Sequence, residues 1–274
     1  MKGNAHENGL NLNTEVNTME VHHHAHHGHE KKNWKNYFWE FFMIFFAVFC
    51  GSLAELELEH YIEHQREKKY AKSLFEDLVN DVEDLKYDID GWRKANRRAD
   101  TLIAELEKNA VDRNHKLLYK CVSLVNFNNT FLYHDRTIQQ LKSAGNFRIM
   151  REKAVTDSLV EYDAWIAKTV VNIEDIYGMV LNPEMHNLEN QLFNTKYFGI
   201  ARNEKKFDSV YLLAPQKIKM IHDKPDIAFQ FYNKVHNYKS LTQARINYLS
   251  ATLRRATNLI AILKERYHLN ESVK

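Results

Sequence analysis

Between Tyr37 and Leu56 the chain reads YFWEFFMIFFAVFCGSLAEL. These 20 residues match the ~30 Å hydrocarbon core of a bilayer at ~1.5 Å per helical residue. The centre, Phe41 to Phe49, has no polar side chain. Trp34, Tyr37 and Trp39 crowd the N-terminal end, where amphipathic rings favour the membrane–water interface. Such a run is either buried in protein or placed in lipid. Eight of the 13 residues from Tyr37 to Phe49 are Phe, Tyr or Trp, an odd composition for a core helix. A secretory signal would start nearer the N-terminus and end in a small-residue cleavage site, whereas 36 residues precede this run. A lipoprotein signal would need a small residue before Cys50, and Phe49 is not small. The run predicts one transmembrane helix, Tyr37 to Leu56.

The flanking charges bear on orientation. Lys31, Lys32 and Lys35 lie before the span, and Arg66, Lys68 and Lys69 lie some way after it, so the positive charges nearly balance. On the far side Glu55, Glu57, Glu59 and Glu63 come first. This favours a cytoplasmic N-terminus and a single-pass protein of the cell inner membrane, with its C-terminal domain outside the cytoplasm, in the periplasm. Glu40 and Glu55 sit near the two ends of the span, where headgroup water reaches them.

Turn-forming residues are scarce in the rest of the chain. Only 8 Gly and 3 Pro occur in 274 residues, so the elements should be long. No strand alternation stands out. From Ala71 the apolar positions alternate by four and three: Phe75, Leu78, Val82, Leu85, Ile89, Trp92, then Asn96, Ala99, Ile103 and Leu106. That is the seam of a coiled coil or long bundle helix, with Asn96 as a polar register mark. Asn109, Asp112 and Asn114 mark the first turn. A second helix is expected over Lys116 to Phe127. A third spans about Leu132 to Ala144 and ends at Gly145, which suits a left-handed cap. A fourth, from Met150 to Leu181, carries the stripe Val155, Leu159, Tyr162, Ile166, Val170, Ile173, Tyr177 and Val180. Pro183 should weaken its continuation toward Phe193. Tyr197 to Lys224 reads as irregular, and a last long helix follows Pro225 as far as Tyr267.

The expected fold is all-α. One N-terminal transmembrane helix continues into a long coiled-coil-like helix, which packs in an antiparallel helical bundle. Residues 1–33 form a His-rich tail, 34–57 the span and 58–268 the bundle, with long helices over about 58–109, 150–181 and 226–267; residues 269–274 are a short tail.

Metal chemistry has two candidate sites. His22, His23, His24, His26, His27 and His29 lie in a polar tail without periodicity. Neutral imidazoles at this density can hold Zn or another divalent transition metal. His60 and His64 share one helix face beside Glu57, Glu63 and Glu67. The run HYIEH lacks the glutamate that follows the first His in a zinc-protease helix. No phosphate loop, GxSxG or CxxC occurs, so neither an enzyme nor a required cofactor is indicated. Cys50 and Cys121 read as two small apolar residues. A net charge of +2 argues against a nucleic-acid partner. The expected partners are the lipid bilayer and, through the exposed seam, a second copy of the chain or another membrane protein.

Three segments also carry a resemblance: EFFMIFFAVFCGSLAELELEHYIEHQREKKYAKSLFEDL (40–78), TIQQLKSAGNFRIM (137–150) and VEYDAW (160–165). Their order resembles a family of uncharacterised single-span membrane proteins common in Bacteroidetes. The resemblance covers most of the chain from about Trp34 and leaves out the His-rich tail. It implies a membrane location and a helical domain, and brings no activity with it.

Overall fold

The computed structural model describes residues 33–125, 130–143, 145–176, 182–213, 216, 218–221 and 224–269. The chain divides into two compact units, Met1–Glu57 and Leu58–Lys274. Every described residue is helical or part of a connection between helices, and no strand occurs among the described residues.

In the first unit the described residues belong to α1 (Trp34–Leu106), apart from Asn33 before it. All of them are exposed. Spacing of three and four brings the phenylalanines into two files on adjoining faces. Phe38, Phe42 and Phe46 stack at 6.3 and 6.1 Å, and Phe41, Phe45 and Phe49 at 6.2 and 6.0 Å.

The second unit is a helical bundle. α1 meets α9 (Pro225–Tyr267) in antiparallel order. Glu107 takes the Tyr232 hydroxyl, Asp100 pairs with Lys239, Trp92 lies under Arg245, Phe75 under Lys264, and Glu67 takes the Tyr267 hydroxyl. α4 (Lys153–Trp165) and α5 (Val171–Ile176) also run antiparallel to α9. Their contacts step from Glu152–Arg266 through Glu161–Arg255 and Trp165–Thr252 to Glu174–Arg245. α2 (His115–Val125) descends beside the later part of α1, and α3 (Arg136–Ser143) lies beside its earlier part. Three short helices complete the bundle: α6 (Asn182–Leu192) packs on α9, α7 (Phe198–Ala201) on α2, and α8 (Glu204–Leu213) on α7. One core cluster runs through the bundle, with Trp92, Tyr119, Tyr162, Phe231 and Tyr238 among its largest buried side chains.

The seam foreseen for α1 is its buried face, but that face is wider than a coiled-coil seam. A flanking row seven residues apart is also buried: Glu67, Leu74, Asp81, Asp88, Ala95 and Leu102. A helix packed between neighbours on both sides buries such a broad stripe. Asn96 is half-buried and donates to the Lys239 carbonyl at 3.2 Å, so it ties α1 to α9.

Three sequence expectations are corrected. The helix expected over Met150 to Leu181 begins at Lys153 and is interrupted by a π-helical turn, Ile166–Val170; its last residues, 177–181, lie outside the described ones. The wider turn keeps Ile166 and Val170 buried and brings Glu174 inward, leaving Ile173 only partly buried. The helix expected from Leu132 starts at Arg136, because side chains of α1 capture the preceding backbone. Pro183 is not among these: it is the second residue of α6, where no backbone N–H is required, and residues 177–181 before it lie outside the described ones. Tyr197 to Lys224 is not wholly irregular, since it holds α7 and α8. Gly145 does adopt the expected left-handed conformation, with φ 61°.

Candidate functional site

The first candidate is the exposed apolar surface of α1. Phe41 is 66% exposed and Ile44 67%, values that a core helix would not show. This part of α1 is long and apolar enough to cross a membrane, and none of it is buried. Cys50 lies on this surface, whereas Cys121 is buried in α2, and both are free thiols. Burial pushes the Cys121 thiol up to about 11, which leaves it almost wholly protonated at neutral pH.

The second candidate is a set of buried acids along α1. Each takes backbone donors from a distant turn. Glu105 accepts the Asn114 N–H at 2.9 Å and pairs with Lys108 at 2.6 Å. Burial acts to raise its carboxyl, but Lys108 and the Asn114 N–H outweigh that and hold it below the usual range. Asp77 accepts the Thr137 N–H at 3.0 Å and so caps α3 from another helix. Glu67 accepts the Arg151 N–H at 2.8 Å and the Tyr267 hydroxyl at 2.7 Å. Asp81 is the most enclosed of these, at 1% exposed. It takes the His134 N–H at 2.9 Å, His134 Nδ1 at 3.0 Å and the Tyr162 hydroxyl at 2.7 Å. Burial raises its carboxyl above the ordinary aspartate value, against the pull of these donors. An Asp–His pair can hold and orient a proton. Its neighbours here are Tyr133, Tyr162, Asp84 and Asp163, none of which is an activated serine or cysteine nucleophile. The arrangement ties turns to α1.

A third group lies where the π-turn ends. Arg245 sits 4.1 Å from the Trp92 ring and 2.6 Å from Glu174, with a side chain only 5% exposed. Glu174 also takes the Phe131 N–H at 3.1 Å. Burial raises its carboxyl, and Arg245 and that N–H oppose the rise. The pair is desolvated and hydrogen-bonded, so removing either partner strands a buried charge.

The proposed histidine ligands are not brought together. His60 Nδ1 faces the Arg151 guanidinium at 3.3 Å, a cation in the place a metal would need. His64 Nδ1 lies 3.5 Å from Glu67. No group of three or more His, Cys, Asp or Glu among the described residues is arranged to hold a metal ion. His22, His23, His24, His26, His27 and His29 lie outside the described residues.

From sequence, His134, Asp81, Glu174 and Arg245 were not singled out, and Tyr162 was placed only in the apolar stripe of its helix. The one available signal was the row seven apart, in which Asp81 and Asp88 stand between Leu74 and Ala95. No family model, curated protein or solved structure matches the chain.

Proposed function

We propose that the chain is a membrane-anchored helical module without catalytic activity, which crosses a bilayer once through Tyr37 to Leu56 and presents its bundle to a partner or senses one. The carrying observation is the complete exposure of that apolar stretch within one unbroken helix. Apolar surface costs about 25 cal/mol per Å² in water, and contiguous patches beyond a few hundred Å² mark membrane or protein contacts. Lys31, Lys32 and Lys35 lie nearer the span than Arg66, Lys68 and Lys69, which supports a cytoplasmic N-terminus and a periplasmic bundle in the inner membrane. Leu58, Tyr61 and Ile62 are 59, 63 and 40% exposed at helical spacing. They offer a surface to a second copy of the chain or to another membrane protein.

Alkaline carbonate washing of cell membranes tests the anchor. The chain should stay in the pellet, and release into the wash would contradict the span. A reporter active only in the cytoplasm, fused after Lys274, should be silent; activity would reverse the orientation.

A further inference from the structure

The bundle has a cleft that the anchor does not explain. It lies between α1, the segment leading into α4, and the end of α9, and it encloses about 540 Å³. Its polar rim includes Lys68, Arg151, Glu152, Arg266 and His268. The floor is fixed by Glu67, which is buried and holds both the Arg151 N–H and the Tyr267 hydroxyl. His268 closes α9 in the left-handed conformation, at φ 52°.

The charges on the rim are unevenly used. Arg151 is committed to Glu63 at 3.0 Å and to His60 at 3.3 Å. Arg266 is held more loosely: its ion pairs, Nε to Glu152 at 3.8 Å and Nη2 to Glu265 at 3.9 Å, are longer than hydrogen bonds. Lys68 makes no ion pair among the described residues. The loose Arg266–Glu152 pair, 3.8 Å apart, and Lys68 thus put both signs of charge on the rim of one cleft. That pattern complements a zwitterion with a phosphate at one end and a protonated amine at the other. Arginine and lysine bind phosphate by charge-assisted hydrogen bonds, and a primary ammonium gives a carboxylate three N–H donors. A quaternary amine would offer Glu152 none.

We propose that this cleft binds the phosphoethanolamine headgroup of a membrane lipid, with the phosphate on Arg266 and Lys68 and the amine on Glu152. The lipid source rests on the span reading, since His64 follows Leu56 by only eight residues on α1.

The test uses the full chain in nanodiscs of equimolar phosphatidylethanolamine, phosphatidylglycerol and phosphatidylcholine with identical acyl chains. Mass spectrometry of the intact protein reads the lipid it retains. Phosphatidylethanolamine should exceed phosphatidylcholine about tenfold, a difference of roughly 1.4 kcal/mol. Arg266→Gln and Lys68→Gln should each bring the ratio below about threefold, and exposed Arg93→Gln should leave it unchanged. Glu152→Gln should move the preference toward phosphatidylglycerol, a switch that misfolding cannot produce. Equal retention of the three lipids by the wild type, or a preference indifferent to these variants, would overturn the proposal. Displacement of the lipid by an equal concentration of soluble phosphoethanolamine would overturn the lipid source. Release of the chain by carbonate would overturn the span and the lipid source together, whereas an integral chain without lipid preference overturns the cleft alone.

Discussion

Asp81 is 1% exposed, and its hydrogen-bond partners lie 53 and 81 residues away in the chain. Removing it leaves the buried Tyr162 hydroxyl and the part-buried His134 N–H without their acceptor. Each such loss costs about 1–3 kcal/mol. Asp81→Ala should therefore destabilise the bundle by about 2–4 kcal/mol, and Tyr162→Phe by about 1–2 kcal/mol. Urea unfolding of the detergent-solubilised chain, followed by circular dichroism, measures both. The two losses should add to more than the double variant shows, because they share one hydrogen bond. The charge of Asp81 has a separate signature. Its folded carboxyl titrates above the ordinary 3.8, so the native state holds more protons than the unfolded state just above that pH. This contribution to stability is full below pH 3.8 and is lost as pH rises through the folded value. Asp81→Asn removes it. The slope of stability against pH above 3.8 should become more positive than in the wild type; an unchanged slope would mean that Asp81 does not titrate in that range.

At the scale of elements, legibility followed the breakers. α9 was expected after Pro225 as far as Tyr267 and is found at Pro225–Tyr267. Proline at its start needs no N–H partner, Asp226 suits its first turn, and Lys264 and Arg266 suit its last. The end of α3 was legible for the same kind of reason. Gly145 has φ 61° and no neighbour within 4 Å of an added Cβ, so only its backbone conformation restricts substitution. Gly145→Ala should cost about 1–2 kcal/mol, the left-handed penalty of an L-residue, and Gly145→Asn less; thermal unfolding measures both. The π-turn was not legible. Nothing in IAKTV departs from α-helical chemistry, and the turn is set by what it delivers, Glu174 to Arg245 across the bundle. The buried acids of α1 were missed for a related physical reason. An aspartate in an amphipathic pattern is placed in solvent unless its partner is known. The partners of Asp77, Asp81 and Glu67 are turn N–H groups 60, 53 and 84 residues away.

At the scale of the whole molecule, the all-α bundle with a long helix at each end of the described chain follows from sparse glycine and proline and from apolar periodicity. Arg151 stands against His60, so the structure adds nothing to a metal site at His60 and His64; the tract His22 to His29 lies outside the described residues. The proposed membrane span carries its own probe. Cys50 is exposed on that stretch, and Cys121 is buried with its thiol held protonated, so Cys121 reacts slowly in the folded protein. The most direct measurement is the reaction of the native chain, in sealed membrane vesicles, with a charged maleimide and with an apolar one. In lipid, Cys50 should resist the charged reagent from either side, react at most slowly with the apolar one because thiolate is scarce in hydrocarbon, and react with both once the membrane is dissolved in denaturant. Rapid labelling of Cys50 by the charged maleimide in intact vesicles would place it in water and contradict the transmembrane assignment of Tyr37 to Leu56.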